Sequence, residues 1–305
     1  MILHLFAAAV AASTPPVTGV GDPAGHLLFS SLHLRPNIFT IGFFTLRWYS
    51  LAYIAGIVAG WWYLLKLLDK PGAPMARRHA DDLVFYATLG IIVGGRVGYV
   101  LFYDPSLLTS LKFFVLWEGG MSFHGGLVGV MLAMWLFARK HRLPLLRLYD
   151  YVACVAPIGQ CFGRLANFVN GELWGKPADV PWAIVFDRSP GAQLIARHPS
   201  QLYEALGEGV LLFCVLAWAF YRTNARYKPG FLVGLGLAGF GAIRFVIEFF
   251  REPDAQFRGT FVEASGLHMG QWLCVPMILI GAWLMWTAAG RRERVVPIAG
   301  SESVA

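Results

Sequence analysis

Seven apolar windows of about 20 residues, parted by short polar breaks, constrain this chain more than any other feature. They fall at about 48–68, 83–103, 121–138, 148–168, 201–221, 231–250 and 269–287. About 20 helical residues cover the hydrocarbon core of a bilayer. The breaks at Lys70-Pro71-Gly72, Arg142-Leu143-Pro144 and Lys228-Pro229-Gly230 carry turn residues. Charged residues make up only 14% of the chain and mean hydropathy is +0.56, whereas soluble domains carry about 25% charged residues. A disordered chain, a fibrous protein and an ordinary soluble enzyme are thereby excluded. The expected fold class is all-α: a polytopic membrane protein with seven transmembrane helices.

Charge gives that bundle an orientation. Fourteen of the 25 Lys and Arg residues follow windows one, three, five and seven, and eight lie on the opposite side. The positive-inside rule then puts the N-terminus outside and the C-terminus in the cytoplasm. Net charge of +7 in such clusters answers to the membrane before nucleic acid, and no nucleic-acid partner is expected. Residues 1–32 read as an N-terminal extension, poorly structured or peripheral, since the Ala-rich run at Met1–Pro16 lacks a basic start. Residues 33–290 read as the membrane domain and 291–305 as a cytoplasmic tail. Four cysteines in apolar segments, none in a C-x-x-C pair, read as packing residues.

Arg96, Arg164 and Arg244 lie within or at the ends of windows. An unpaired arginine there costs about 2.5–3.5 kcal/mol on insertion scales. Each must face a protein interior, a polar cavity or an anionic partner. Arg164 and Asn167 are three apart and share a face if the helix continues, while Asn170, Gly171 and Glu172 look like a helix end. A guanidinium beside amide donors suits a phosphate; an Arg–Glu pair holding the helix terminus fits the spacing equally. Arg244 and Glu248 are four apart and Arg251 continues their face, so an internal ion pair competes with ligand binding there. Arg96 sits among Gly94, Gly95 and Gly98, where helices can pack closely. It reads as a buried ion pair or as a ligand contact.

His124 is followed by Gly125 and Gly126, which permit close approach of a backbone or a ligand. Histidine suits proton transfer near neutral pH, although a structural hydrogen bond at a helix end is the commoner use. In Arg197-His198-Pro199-Ser200-Gln201-Leu202-Tyr203-Glu204, Ser200 is expected to cap the fifth helix, with Tyr203 and Glu204 in its first turn. Trp48 and Tyr49 open the first window, where an aromatic belt is expected.

The segment GRLANFVNGELWG (163–175) resembles the signature of bacterial prolipoprotein diacylglyceryl transferases. RWYSLAYIAG (47–56), GGRVGYVLFY (94–103), MSFHGGLVGV (121–130), RHPSQLYEAL (197–206) and RFVIEFFREPD (244–254) agree with that family in order. The resemblance implies a multi-pass enzyme of the bacterial inner membrane with its active site toward the periplasm. Members transfer the diacylglyceryl group of phosphatidylglycerol to the lipobox cysteine of a prolipoprotein. A thioether forms and glycerol phosphate leaves, the first step of lipoprotein maturation. The partners implied are phosphatidylglycerol, the prolipoprotein signal peptide with its lipobox cysteine, and membrane lipids. Carried over residue by residue, His124, Arg244 and Tyr49 are the catalytic candidates. Arg164, Asn167, Glu172, Gly175, Glu248 and Arg96 are the substrate-binding candidates. Phe240 stands where some members carry a tyrosine.

For that reaction His124 is assigned as the base, since a free thiol ionises only near about pH 8.5. Arg164 and Arg244 would neutralise charge on the leaving phosphate. No cofactor is expected, and no metal-ligand spacing is visible. An anion or lipid transporter with an arginine-lined path is the alternative. It requires a polar route to both faces, whereas the reactive residue types gather toward one side. An intramembrane protease lacks a glycine-flanked serine with a partner histidine, or paired aspartates.

Overall fold

A computed structural model describes residues 25–41, 44–115, 120–187, 194–252 and 265–291. All seven apolar windows are helical. The helices are α1 (Trp48–Leu68), α2 (His79–Phe102), α3 (Phe123–His141), α4 (Leu145–Asn170), α5 (Ser200–Arg222), α6 (Phe231–Phe250) and α7 (Met269–Arg291). Six of them, all but α3, are long and apolar enough to cross a membrane. The chain is therefore a multi-pass membrane protein with six such helices among its described residues, where seven were expected. The reason lies in the ends of α3: His124 stands in its first turn and Arg139, Lys140 and His141 in its last, which shortens its apolar stretch.

The chain divides into two compact units, whose boundaries fall inside five of the helices. One unit comprises Ala55–Gly159, Leu212–Gly239 and Met277–Ala305. Here α2 and α3 meet backbone to backbone. A Cβ added at Gly125 would lie 2.3 Å from the Gly94 oxygen, and one at Gly129 would lie 2.1 Å from the Gly90 oxygen. Without side chains between them, helices gain close van der Waals contact that lipid cannot supply. Ser122 caps α3 by accepting from the Gly125 N–H at 3.2 Å, and its own N–H donates to the Gly95 oxygen at 2.8 Å. On α4, Asp150 is 2% exposed and accepts from the N–H groups of Gly230 (2.7 Å) and Val233 (2.8 Å), satisfying the start of α6. Arg147 donates to the Gly72 carbonyl and Arg291 to the Pro229 carbonyl. Both Lys-Pro-Gly turns are thus tied to neighbouring helices.

The second unit comprises Met1–Ile54, Gln160–Leu211 and Phe240–Pro276. A hairpin of β2 (Asn37–Ile41) and β3 (Phe44–Arg47) runs directly into α1. A small sheet has the order β1-β4-β5, with β1 (Leu27–Leu28) parallel to β4 (Ile184–Val185) and β4 antiparallel to β5 (Ala196–Arg197). Phe29 is 2% exposed and packs with Ile184, Phe186, Phe168 and Trp174. Residues 27–32 therefore pack within this unit. Burial of Phe29 and the pairing of β1 with β4 hold them. Residues 1–24, the tail after Arg291, and Pro253 and Asp254 lie outside the described residues.

Candidate functional site

Three buried carboxylates and three guanidinium groups converge in the second unit. Glu204, the fifth residue of α5 and just past its first turn, is fully buried. Its Oε2 lies 2.8 Å from Arg164 Nε on α4. Its Oε1 accepts from Arg244 NH1 at 2.9 Å and from Arg251 NH1 at 2.5 Å. Glu208, also fully buried, lies 3.5 Å from Arg244 NH1 and 3.9 Å from Arg164 Nε, and its Oε2 accepts from Gln160 Nε2 at 2.6 Å. Glu248 on α6 reaches Arg244 Nε at 3.1 Å, Arg251 Nε at 3.6 Å and His268 Nδ1 at 3.8 Å. Residues Ala205–Leu211 form a π-helical stretch of α5, a rare geometry concentrated at functional sites.

Burial within the cluster is uneven. The Glu204 and Glu208 side chains are 0% exposed, while Arg164 retains 20% and Arg244 16%. The carboxylates form a sealed floor and the guanidinium groups its accessible side. Nε of Arg164 and both Nε and NH1 of Arg244 and Arg251 face the carboxylates, while NH1 of Arg164 meets the Asn167 amide oxygen; among the described residues, the NH2 groups meet no acceptor. Three positive and three negative groups balance formally, which is what allows such a cluster inside apolar helices.

The segment after α4 frames the cluster. Arg164 NH1 donates to Asn167 Oδ1 at 3.4 Å, and the amides of Asn167 and Asn170 donate to Glu172 Oε1 at 2.8 and 3.1 Å. The Arg–Glu pair at the end of α4, one of the two readings the spacing allowed, does not form between Arg164 and Glu172. Glu172 is held by asparagines, while Arg164 turns to Glu204. Gly171 and Leu173 both have positive φ, 67° and 59°. Leucine rarely adopts that conformation, and two bonds hold it: Ser200 Oγ donates to the Leu173 carbonyl at 3.0 Å, and Gln201 Nε2 donates to the Glu172 carbonyl at 2.6 Å. Ser200 consequently does not cap α5, whose preceding residue is Pro199 and makes no side-chain cap. The strained turn claims the hydroxyl instead. Gly175 is a backbone crossing point. Its N–H donates to the His198 carbonyl at 2.9 Å, and a Cβ there would lie 2.4 Å from the Phe250 oxygen. Arg197 spans Gly175 O and Glu252 and lies over Trp174. His198 Nδ1 stands 3.0 Å from Tyr203 OH, which accepts from Trp182 Nε1 at 2.6 Å. Burial lowers the pKa of His198 below its ordinary value.

Of the residues singled out by sequence, Arg164, Asn167, Glu172, Arg244, Glu248 and Gly175 gather in this unit. Tyr49 joins them within electrostatic reach of Arg164 and Glu172, its hydroxyl 3.2 Å from that of Tyr53. His124 and Arg96 belong to the other unit. His124 is exposed in the first turn of α3. Arg96 is 5% exposed and donates to three backbone carbonyls, those of Phe113 (2.8 Å), Lys112 (2.5 Å) and Gly120 (3.0 Å). It thereby braces the connection between α2 and α3. Sequence reasoning missed Glu204 as a hub, Glu208 altogether, and Gln160 as its partner. The signal was present: two glutamates four apart in an apolar window carry the same burial cost that singled out the arginines.

Fold and cluster together define a class: a multi-pass membrane protein that keeps a charge-balanced, partly open arginine–glutamate centre between its helices. The family description "prolipoprotein diacylglyceryl transferase" matches residues 36–287. Proteins named phosphatidylglycerol–prolipoprotein diacylglyceryl transferase are close relatives. That of Erythrobacter litoralis is 52% identical over 271 residues, covering 89% of this chain and 95% of its own. That of Zymomonas mobilis is 52% identical over 273 residues, covering 86% and 94%. That of Rhodospirillum rubrum is 51% identical over 268 residues, covering 87% and 96%. The chain belongs to the prolipoprotein diacylglyceryl transferase family.

Proposed function

We propose that the arginine–glutamate cluster is the lipid-headgroup site of a transferase that moves the diacylglyceryl group of phosphatidylglycerol onto the lipobox cysteine of a prolipoprotein. The observation that carries this reading is the uneven burial of the cluster: carboxylates sealed beneath, guanidinium donors left on the open side. A phosphodiester arriving there accepts from the NH2 groups of Arg164 and Arg244 while their other nitrogens stay anchored. In the reaction the cysteine sulfur forms a C–S bond to the glyceryl carbon as the C–O bond to phosphate breaks. The thiol proton goes to a base, and the phosphate leaves as glycerol phosphate. Arg164 and Arg244 stabilise its growing charge. Glu248 orients Arg244, Asn167 and Glu172 hold the rim, and Tyr49 offers a hydroxyl toward it. Gly175 supports the site through its backbone crossing rather than by touching lipid. His124 is assigned as base on residue type and exposure, and Arg96 is assigned to bracing its loop.

The same reading makes α3 a seventh span, supported by its glycine contact with α2, with the N-terminus outside and the C-terminus cytoplasmic by the Lys and Arg distribution. The site then faces the periplasm from the inner membrane. The test is incubation of the purified chain with a lipobox peptide and phosphatidylglycerol, read by mass spectrometry. A diacylglyceryl mass increase is expected. Its absence, or transport of lipid without modification, refutes the proposal.

A further inference from the structure

We propose that Glu204 is the positioning residue of the anion site: one sealed carboxylate that sets the attitude of all three guanidinium groups. The inference rests on the headgroup reading above. Glu204 is the one member of the cluster that touches Arg164, Arg244 and Arg251 together, at 2.8, 2.9 and 2.5 Å. It divides them between its two oxygens, Arg164 on Oε2 and the other two on Oε1. Arg164 comes from α4, whereas Arg244 comes from α6 and Arg251 from the residue just after it, so no local spacing aligns Arg164 with the other two. The carboxylate does. Because Nε and NH1 are the nitrogens it and its neighbours engage, the NH2 groups are left for an incoming anion. Glu208 has a lesser part. Its contacts with Arg164 and Arg244 are 3.9 and 3.5 Å, and its short bond is to Gln160. It balances charge without steering.

Glu204 and Glu208 carry the same charge, are equally buried and stand in the same helix, so they separate steering from charge. Glu204→Gln keeps the shape, removes one negative charge and unlocks three guanidinium groups. The site then has net positive charge and still attracts phosphatidylglycerol, yet presents its donors in the wrong attitude. Glu208→Gln removes the same charge and leaves the short contacts of Glu204 in place.

The experiment measures lipobox-peptide modification by the full-length protein in micelles of graded phosphatidylglycerol content, alongside thermal unfolding. Glu204→Gln is expected to lower kcat about 100-fold, through the loss of two charge-assisted hydrogen bonds. Its half-saturating phosphatidylglycerol content stays at or below that of the unaltered protein. Glu208→Gln is expected to lose less than about 10-fold. Equal losses in the two variants, full activity of Glu204→Gln, or a loss confined to weaker lipid binding each overturn the proposal. If Glu204→Gln does not accumulate as folded protein, Glu204→Asp decides. It keeps the charge but withdraws it by one methylene, and a reduced kcat with unchanged half-saturation supports steering, whereas full activity overturns it. Failure of the unaltered protein to modify the peptide would refute the headgroup reading itself, an outcome distinct from all of these.

Discussion

Replacing Gly129 by alanine should loosen the α2–α3 pair by an amount the structure allows to be worked out. The new Cβ would stand 2.1 Å from the Gly90 oxygen and 2.8 Å from the Gly94 Cα, whereas ordinary contact begins at 3.4 Å. The helices must part locally by about 1.3 Å, because backbone atoms cannot rotate away as a side-chain tip can. Overpacking of this kind costs about 1–3 kcal/mol, and loss of close backbone C–H···O contacts adds about 0.5–1 kcal/mol. Better helix propensity returns about 1 kcal/mol. A net loss of about 0.5–3 kcal/mol remains. Gly126 is the internal control on the same helix. A Cβ there would meet nothing nearer than the Ile91 oxygen at 3.6 Å, so Gly126→Ala should be neutral or stabilising by up to about 1 kcal/mol. Unfolding of both variants in mixed micelles, followed by tryptophan fluorescence, measures the difference. Equal stability of the two would refute the backbone-contact reasoning.

The remaining predictions concern the site and its frame. Arg164→Ala should abolish diacylglyceryl transfer while the protein stays folded, and normal turnover would remove Arg164 from the site. Arg244→Lys loses the planar fork that meets Glu204 and Glu248 at once, so transfer should fall about 10- to 150-fold, read as kcat. Ser200→Ala leaves the Leu173 carbonyl without its donor and should destabilise the 171–175 turn by about 1–3 kcal/mol, visible as faster hydrogen exchange there. His198 is held neutral by burial, its folded pKa below the unfolded value of about 6.5. Its contribution to stability is therefore present above about pH 6.5 and is lost as pH falls toward the folded pKa. His198→Gln should flatten that acid-side slope, and an unchanged slope would assign it to another group.

Much of this architecture was legible in the primary structure because membrane helices announce themselves through long apolar runs. The first window, 48–68, coincides with α1, and the others lie within a few residues of their helices. Contacts close in sequence were legible as well: Arg244, Glu248 and Arg251, just beyond the end of α6, meet as helical spacing predicts. What periodicity could not reveal was partnership between helices. Arg164 bonds to Glu204, forty residues away, rather than to Glu172 nearby, because α5 brings a sealed carboxylate to it. Ser200 was misread for a related reason. A serine before an apolar run usually caps its own helix, but here the strained Leu173 turn presents a carbonyl with a stronger demand. The glycines beside His124 were read as room for a backbone or a ligand, and the backbone of α2 is what Gly125 meets.

The forty-residue interval also has a consequence for biosynthesis. Arg164 enters the bilayer in α4 before Glu204 has been polymerised, and Arg244 follows Glu204 by the same interval. At about 5–20 residues per second, the nascent chain carries the Arg164 charge without Glu204 for roughly 2–8 s. During that interval α4 has reason to linger beside the protein-lined insertion channel rather than drift into lipid, and the arrival of α5 releases it. Ribosome-arrested chains ending between residues 170 and 200 should therefore cross-link to the channel through α4, and chains extended past residue 250 should not.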